Sequence, residues 1–291
     1  MQTTLANGSV LVTGGSDGFL TLRSSAELYN PSTNTWTSAG ATMSSARYQH
    51  TATLLADGKV LAAGGSNQPD QPSSCSCTTY LAAADLYDPT SNTWTAAGAM
   101  VTARYGHTAT LLNNGKVLVA GGFGGPTSTL QSLGAALASA ELYDPTAGTW
   151  SAAAPMNSAR NGHTATLLAS GKVLVTGGTD GTNTLSSAEI YDPSSNTWTP
   201  VASLLTPRQS QVAQVLPSGN VLVVGGLNGS SNAVFGVSSA EVYDPVANTW
   251  SVAGSMVTPR QHFIVSGLSD GRVLLDGGTP NSTGLPEFYF Q

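Results

Sequence analysis

Six Gly-Gly doublets, at 14–15, 64–65, 121–122, 177–178, 225–226 and 277–278, divide the 291-residue chain at intervals of 48 to 57 residues. An apolar run precedes each doublet: Val10-Leu11-Val12, Val60-Leu61-Ala62, Val117-Leu118-Val119, Val173-Leu174-Val175, Val221-Leu222-Val223 and Val273-Leu274-Leu275. An acidic residue two places before a tyrosine follows each one, as Glu27/Tyr29, Asp85/Tyr87, Glu141/Tyr143, Glu189/Tyr191, Glu241/Tyr243 and Glu287/Tyr289. In five units a tryptophan comes seven residues after that tyrosine, at Trp36, Trp94, Trp150, Trp198 and Trp250. A period of this length is that of a four-stranded sheet repeated around an axis. A chain built this way folds as one repetitive all-β body, since no single unit can bury both its faces.

Each unit reads as four short antiparallel strands. The first, as in 108–112, alternates Thr or Ala with apolar residues and ends in a tight turn such as Asn114-Gly115. The second is continuously apolar, as expected for a strand covered on both faces, and runs into the doublet. Glycine there suits close backbone approach or a positive φ. The third carries Ala-Glu-Leu-Tyr and stops at Asp-Pro, a turn signal, before a fourth that starts Thr-Trp. Each tryptophan can bury roughly 150–250 Å² between neighbouring sheets. The units fall at about 1–43, 44–100, 101–156, 157–204, 205–256 and 257–291, and the last reaches only its third strand, Glu287–Gln291.

Composition narrows the partners. Only 9% of residues are charged, the net charge is −6 and the lysines number three, Lys59, Lys116 and Lys172. Such a chain lacks the basic stripe that phosphate backbones need, so nucleic acid is not expected. No run of 18 apolar residues occurs, so no membrane-spanning helix is expected. No phosphate-binding loop, Gly-x-Ser-x-Gly or His-Glu-x-x-His motif is present, and no cofactor or metal site is predicted. Cys75 and Cys77, one residue apart in a serine-rich stretch, suit either a strained local disulfide in an oxidising compartment or two free thiols. Asp17-Gly18 and Asp180-Gly181 read as turns rather than calcium loops.

The segment Ala-Arg-Tyr-Gly-His-Thr-Ala-Thr-Leu-Leu-Asn-Asn-Gly-Lys-Val-Leu-Val-Ala-Gly-Gly (103–122), followed by Ala-Glu-Leu-Tyr-Asp-Pro (140–145) and Thr149-Trp150, resembles the kelch repeat. The likeness covers essentially the whole chain and is nearest to the bacterial secreted members, which include the propeller of galactose oxidase. It implies a six-bladed β-propeller with an incomplete last blade and an extracellular or periplasmic location, the signal peptide having been removed. It implies little about function, because kelch propellers include binding platforms, a sialic-acid mutarotase and oxidases. The copper chemistry of galactose oxidase needs a cysteine joined to a tyrosine, and Cys75 and Cys77 sit in a peripheral loop, which speaks against it here.

On such a propeller the Asp-Gly-Lys and Asp-Pro turns share one face. The opposite face carries the connections from second to third strand, which span 12, 20, 19, 11, 15 and 9 positions from doublet to acidic residue. Variable loops on a repetitive scaffold are where binding evolves, and the two longest, 66–84 and 123–140, are neighbours. By family analogy Arg47, Arg104, Arg160, Arg208 and Arg260 open the innermost strands on that face. Two roles are open to them: a cationic ring gripping anionic ligand groups, or ion pairs with the third-strand carboxylates. His50, His107, His163, Gln211 and Phe263, three places later, suit scaffold hydrogen bonding in the polar cases. The residues that break the repeat, Tyr48, Tyr105, Asn161, Gln209 and Gln261 after the arginines and also His262, are the better candidates for a ligand site, because a pocket needs asymmetry. The expected activity is recognition of a glycan, peptide or protein. The alternatives are self-association through the unfinished last blade and a lyase or mutarotase acting on an anionic sugar.

Overall fold

The polypeptide alternates short apolar strands with turns that require glycine or asparagine, and each repeat folds as an antiparallel sheet with its strands in chain order. The computed structural model describes residues 1–16, 21–67, 80–125, 134–230, 233–261, 263–268, 272–278 and 287–289. Cys75, Cys77 and His262 lie outside them, as does Asp17-Gly18. The chain divides into two compact units, Met1–Ala153 and Ala154–Gln291, with the boundary falling between repeats.

The first unit holds three four-stranded sheets. They are Gln2–Thr4, Val10–Thr13, Ala26–Asn30 and Thr35–Ser38; then Thr51–Leu54, Val60–Ala63, Ala83–Asp88 and Thr93–Ala99; then Thr108–Leu111, Val117–Ala120, Ala140–Asp144 and Thr149–Ala153. The second unit holds two four-stranded sheets and one of three strands. They are Thr164–Leu167, Val173–Thr176, Ala188–Asp192 and Thr197–Val201; then Val212–Val215, Val221–Val224, Ser239–Asp244 and Thr249–Ser255; then Ile264–Gly267, Val273–Asp276 and Glu287–Tyr289.

Register follows the repeat. The second-strand valine faces the third-strand tyrosine in every sheet, as Val60↔Tyr87 and Val273↔Tyr289, and the tyrosine faces the tryptophan, as Tyr87↔Trp94. The Tyr–Trp ring centroids are 5.0–5.1 Å apart in all five four-stranded sheets. Between these two residues the turn is set by asparagine: Asn92, Asn196 and Asn248 take positive φ, and each accepts a hydrogen bond from the preceding tyrosine hydroxyl at 2.8–3.0 Å. Asparagine is among the few side chains that tolerate that conformation.

The cores lie between consecutive sheets of a unit. Leu5, Leu11 and Ala39 of the first sheet meet Val60 and Tyr87 of the second, and Leu55, Leu61 and Met100 of the second meet Val117 and Tyr143 of the third. In the second unit Leu168, Leu174 and Leu204 pack on Val221 and Tyr243, and Leu216, Leu222 and Met256 on Val273 and Leu275. Second strands of the second to fifth sheets are wholly buried, which explains their unbroken apolar sequence.

Four of the tryptophans tie their sheets to a backbone carbonyl earlier in the same unit. The indole N–H of Trp94 donates to the Ala39 carbonyl at 3.0 Å, Trp150 to Ala97 at 2.9 Å, Trp198 to Ala154 and Trp250 to Ala202 at 2.8 Å. Trp36 departs from the expectation that every tryptophan is buried between sheets. It is 56% exposed.

Candidate functional site

The connection from second to third strand leaves each sheet at the glycine doublet and returns at the acidic residue, and in the second to fifth sheets the arginine four places before the inner strand holds both of its feet. Arg104 donates from Nη1 to the Gly121 carbonyl at 2.7 Å and the Ser139 carbonyl at 2.9 Å, while Nη2 meets Glu141 at 2.9 Å. Arg160 makes the same contacts with Gly177, Ser187 and Glu189, at 2.7, 3.1 and 2.7 Å. Arg208 does so with Gly225, Ser239 and Glu241, at 3.0, 2.9 and 2.6 Å. Arg47 bonds the Gly64 and Ala83 carbonyls and Asp85, and Arg260 bonds the Gly277 carbonyl and Glu287.

These guanidiniums are buried, with side-chain exposure of 0% in four cases and 5% in Arg260. Burial pulls the pKa of Arg47, Arg104, Arg160 and Arg208 down, and the paired carboxylate opposes it. The carboxylates have a second task. Glu141 accepts from the N–H groups of Val101 and Thr102, Glu189 from Asn157 and Ser158, and Glu241 from Leu205 and Thr206, at 2.6–3.0 Å. Each therefore anchors the linker that enters its own sheet. Burial would raise the Glu189 pKa, yet the Asn157 backbone and side chain and the Arg160 guanidinium hold it below the ordinary value. The arginines thus stand in the second of the two arrangements open to them, as partners of third-strand carboxylates.

Three residues after the arginines, His50 Nε2 lies 2.7 Å from Thr13 Oγ1 and His107 Nε2 lies 3.0 Å from Thr51 Oγ1, each joining a sheet to its predecessor. Gln211 Nε2 donates to the Thr176 carbonyl at 2.8 Å in the corresponding place. Burial and nearby guanidinium charge push the His107 pKa down to about 3 and His50 well below its usual value, so both rings are neutral at physiological pH. Among the described residues no group of three His, Cys, Asp or Glu side chains is placed to hold a metal ion.

In each unit the residues between arginine and histidine are partly exposed. The backbone of each one after the arginine pairs with the start of a connection: Tyr48 with Ser66, Tyr105 with Phe123, Asn161 with Thr179 and Gln209 with Leu227. Gly178 shows why the doublet cannot carry side chains here. Its φ is +91°, and a Cβ would sit 2.7 Å from the Asn161 carbonyl oxygen. The Gln261 carbonyl packs against Gly278 in the same way. The next position turns sharply, with Gln49 and Ser210 at φ of 50° and 54°, conformations uncommon for residues with a Cβ.

The two units differ in what surrounds these residues. In the first, Tyr80 stacks on Tyr105 at 5.4 Å and Phe123 meets Tyr105 edge-on at 5.8 Å. The Tyr80 hydroxyl accepts from the Gly134 N–H at 3.0 Å, and Gln49 Nε2 donates to the Tyr48 hydroxyl at 2.7 Å. Tyr48, Tyr105 and Phe123 are each partly exposed. In the second unit the surrounding groups are amide and hydroxyl: Gln209 reaches Thr184 Oγ1 at 3.5 Å, and that hydroxyl donates to the Gly229 carbonyl at 2.7 Å. Asp180 and Gly181 form a turn, with Asp180 Oδ1 accepting from the Thr182 and Asn183 N–H groups.

Tyr80 and Phe123, at the ends of the two long connections, were not singled out by the repeat. Their one sequence signal is an aromatic side chain inside a variable segment of small polar residues. The connections also contain strands absent from the sequence reading, the pair Phe123–Gly124 with Ala135–Ala136 and the hairpin Leu227–Ser230 with Ala233–Gly236. At the opposite end of the second unit, a groove of about 540 Å³ is lined by turn residues such as Lys172, Asp192 and Asn220. It is built from repeat positions and brings together none of the candidate residues.

Comparison with known proteins agrees with this architecture. The family profile described as KLHDC2/KLHL20/DRC7 Kelch-repeats domain matches residues 49–278, and that of the Kelch motif matches residues 3–41. Kelch-like protein 34 of Homo sapiens is 32% identical over 137 residues, which is 46% of this chain and 19% of the human protein. This chain therefore matches about a fifth of that relative's length. A fungal alcohol oxidase of the AA5 family, solved in complex with copper, superposes with a TM-score of 0.58 at 18% identity, over 95% of this chain and 69% of that one. At that identity the likeness establishes the fold alone. With one profile spanning 230 of the 291 residues, 49 to 278, the chain belongs to the kelch-repeat family of β-propellers.

Proposed function

We propose that this kelch domain is a protein-binding module whose ligand docks on the connections from second to third strand, with the Tyr80–Tyr105–Phe123 cluster as its anchor. The carrying observation is the packing of three aromatic rings where the two longest connections meet the inner strands. Tyr105 and Phe123 are partly exposed and are backed by the buried Tyr80; rings held in this way offer contact area with little ordering of the free surface, and aromatic residues dominate the energetics of interfaces. Kelch repeats commonly bind proteins, and a peptide or protein fits this aromatic patch. A glycan is the second ligand class, since sugars also stack on aromatic faces such as those of Tyr105 and Phe123. A secreted setting belongs to the same proposal, in keeping with 9% charged residues and connections rich in Ser, Thr and Asn.

An enzyme acting on an anionic sugar would need a guanidinium left uncommitted beside a titratable Tyr or His. Each of the five arginines is held by a carboxylate, and His50 and His107 are buried and neutral. The test is selection of binders from a displayed peptide library and from a glycan array, followed by affinity measurement on variants. Tyr105→Leu should weaken the selected ligand at least tenfold with little change in melting temperature, whereas Lys116→Ala, in the turn between the first two strands of the same repeat, should leave it unchanged. Equal affinities for Tyr105→Leu and the parent would refute the placement.

A further inference from the structure

Four consecutive repeats turn left-handed two residues after the buried arginine, and they do not fill that place alike. Gly106 and Gly162 hold it at φ of 60° and 63°, whereas Gln49 and Ser210 hold it at 50° and 54°. Glycine adopts this conformation without steric conflict, and a residue with a Cβ is strained by it. The turn itself needs no side chain. The Gly106 N–H donates to the Gln49 carbonyl at 3.1 Å, and in the second unit the Ser210 N–H donates to the Gly162 carbonyl at 2.8 Å, so main chain alone joins one such turn to the next. Nor does Tyr48 need Gln49 to hold its place, because its backbone exchanges two hydrogen bonds with Ser66, both at 2.9 Å. A strained side chain kept where the same fold uses glycine elsewhere points to a position held for function.

The Gln49 side chain is partly exposed, and its Nε2 donates one hydrogen to the Tyr48 hydroxyl at 2.7 Å. Among the described residues none bonds Oε1 or the second hydrogen on Nε2. An acceptor and a donor on one carboxamide match the N–H and C=O of a single residue in an extended chain, which point the same way, as they do between hydrogen-bonded residues of antiparallel strands. Gly106, bonded to the Gln49 carbonyl, follows Tyr105 in sequence, so the turn that carries the carboxamide adjoins the Tyr80–Tyr105–Phe123 cluster. We propose that Gln49 is the specificity-determining residue of the docking surface described above and that its ligand is an extended peptide. The carboxamide takes the N–H and C=O of one peptide residue while a neighbouring apolar or aromatic side chain packs on Tyr105 and Phe123. A main chain offers this pair of groups at every residue, which favours a peptide over a sugar. The inference rests on that docking surface and narrows what it accepts.

The probe is the tightest binder drawn from a displayed library of random linear peptides, resynthesised with each backbone nitrogen methylated in turn and titrated against the purified 291-residue protein. One methylated peptide should bind the parent about tenfold more weakly, the effect of losing two neutral hydrogen bonds. On Gln49→Gly the same methylation should cost nothing. Gln49→Gly should itself bind the unmethylated peptide about tenfold more weakly, with a melting temperature at or above the parent's because glycine relieves the turn. Lost affinity with undiminished stability is a combination that a merely structural glutamine would not give. A lower melting temperature with unchanged affinity, or methylation losses that are the same on both proteins, would overturn the inference. If Tyr105→Leu weakens the peptide and Gln49→Gly does not, the docking surface stands and the role of Gln49 falls; if neither has an effect, both fall. Capture of glycans from an array with no peptide selected would overturn the role of Gln49 alone.

Discussion

His107 can be exchanged for the residue that the fold itself uses at the same place two repeats further on. Gln211, three residues after Arg208, is as buried as His107 and donates a hydrogen bond to the Thr176 carbonyl. His107→Gln should therefore fit the site while removing a group that titrates. Burial, reinforced by the charges of Arg104 and Arg47, pushes the imidazole pKa down to about 3, against about 6.5 in an unfolded chain. The unfolded state thus binds the proton first. The stability tied to this ring is complete above about pH 6.5 and is lost as pH falls toward 3, at about 1.4 kcal/mol per unit. Between pH 7.5 and 5.0 the loss attributable to His107 is about 2 kcal/mol. For a chain of this size that is about 4–8 °C in melting temperature. The assay is thermal or urea unfolding of both proteins at the two pH values. Other titrating groups act equally in both, so the difference of differences isolates one ring. The His107→Gln protein should lose about 2 kcal/mol less on acidification. Equal losses would show that the buried imidazole accepts its proton without penalty, and the reasoning would fail.

Arg160→Met would leave Glu189 buried without its cation and the Gly177 and Ser187 carbonyls without a donor; urea unfolding should show a loss of about 3–5 kcal/mol, and a loss under 1 kcal/mol would contradict the clamp. Trp150→Phe removes an indole bond to the Ala97 carbonyl and should destabilise by about 1 kcal/mol or more. Trp36→Phe, at a position 56% exposed, should stay within about 0.5 kcal/mol. Equal shifts for these two tryptophans would mean that the contacts between sheets carry no weight.

Much of the scaffold was legible because the repeat encodes it in chemistry that few residues can supply. Positive φ at Gly177 and Gly178 permits little but glycine, and the Tyr191–Trp198 spacing follows from a turn that returns one ring opposite the other. The unexpected elements lie where that constraint ends. The hairpin strand Leu227–Ser230 has Asn228 and Gly229 in its middle, residues that read as loop, and it pairs because Gln209 and Ala233–Gly236 flank it. Local propensity cannot reveal pairing that depends on a partner elsewhere. The arginines left two roles open in sequence, and only geometry distinguishes a cation facing solvent from one buried among three acceptors. Trp36 carried the same motif as its four counterparts, yet it is exposed where each of them donates to a backbone carbonyl.

The guanidinium clamps also bear on how this surface can change. By bonding the carbonyls at both feet of a connection, an arginine sets the distance between those feet independently of what runs between them. Nine residues separate Gly177 from Ser187 and eighteen separate Gly64 from Ala83, yet the same side chain closes both spans. Doubling a flexible segment whose ends are already held together adds only about 0.6 kcal/mol of closure entropy. New sequence can be spliced into these spans at small thermodynamic expense, one blade at a time, with the sheets beneath untouched.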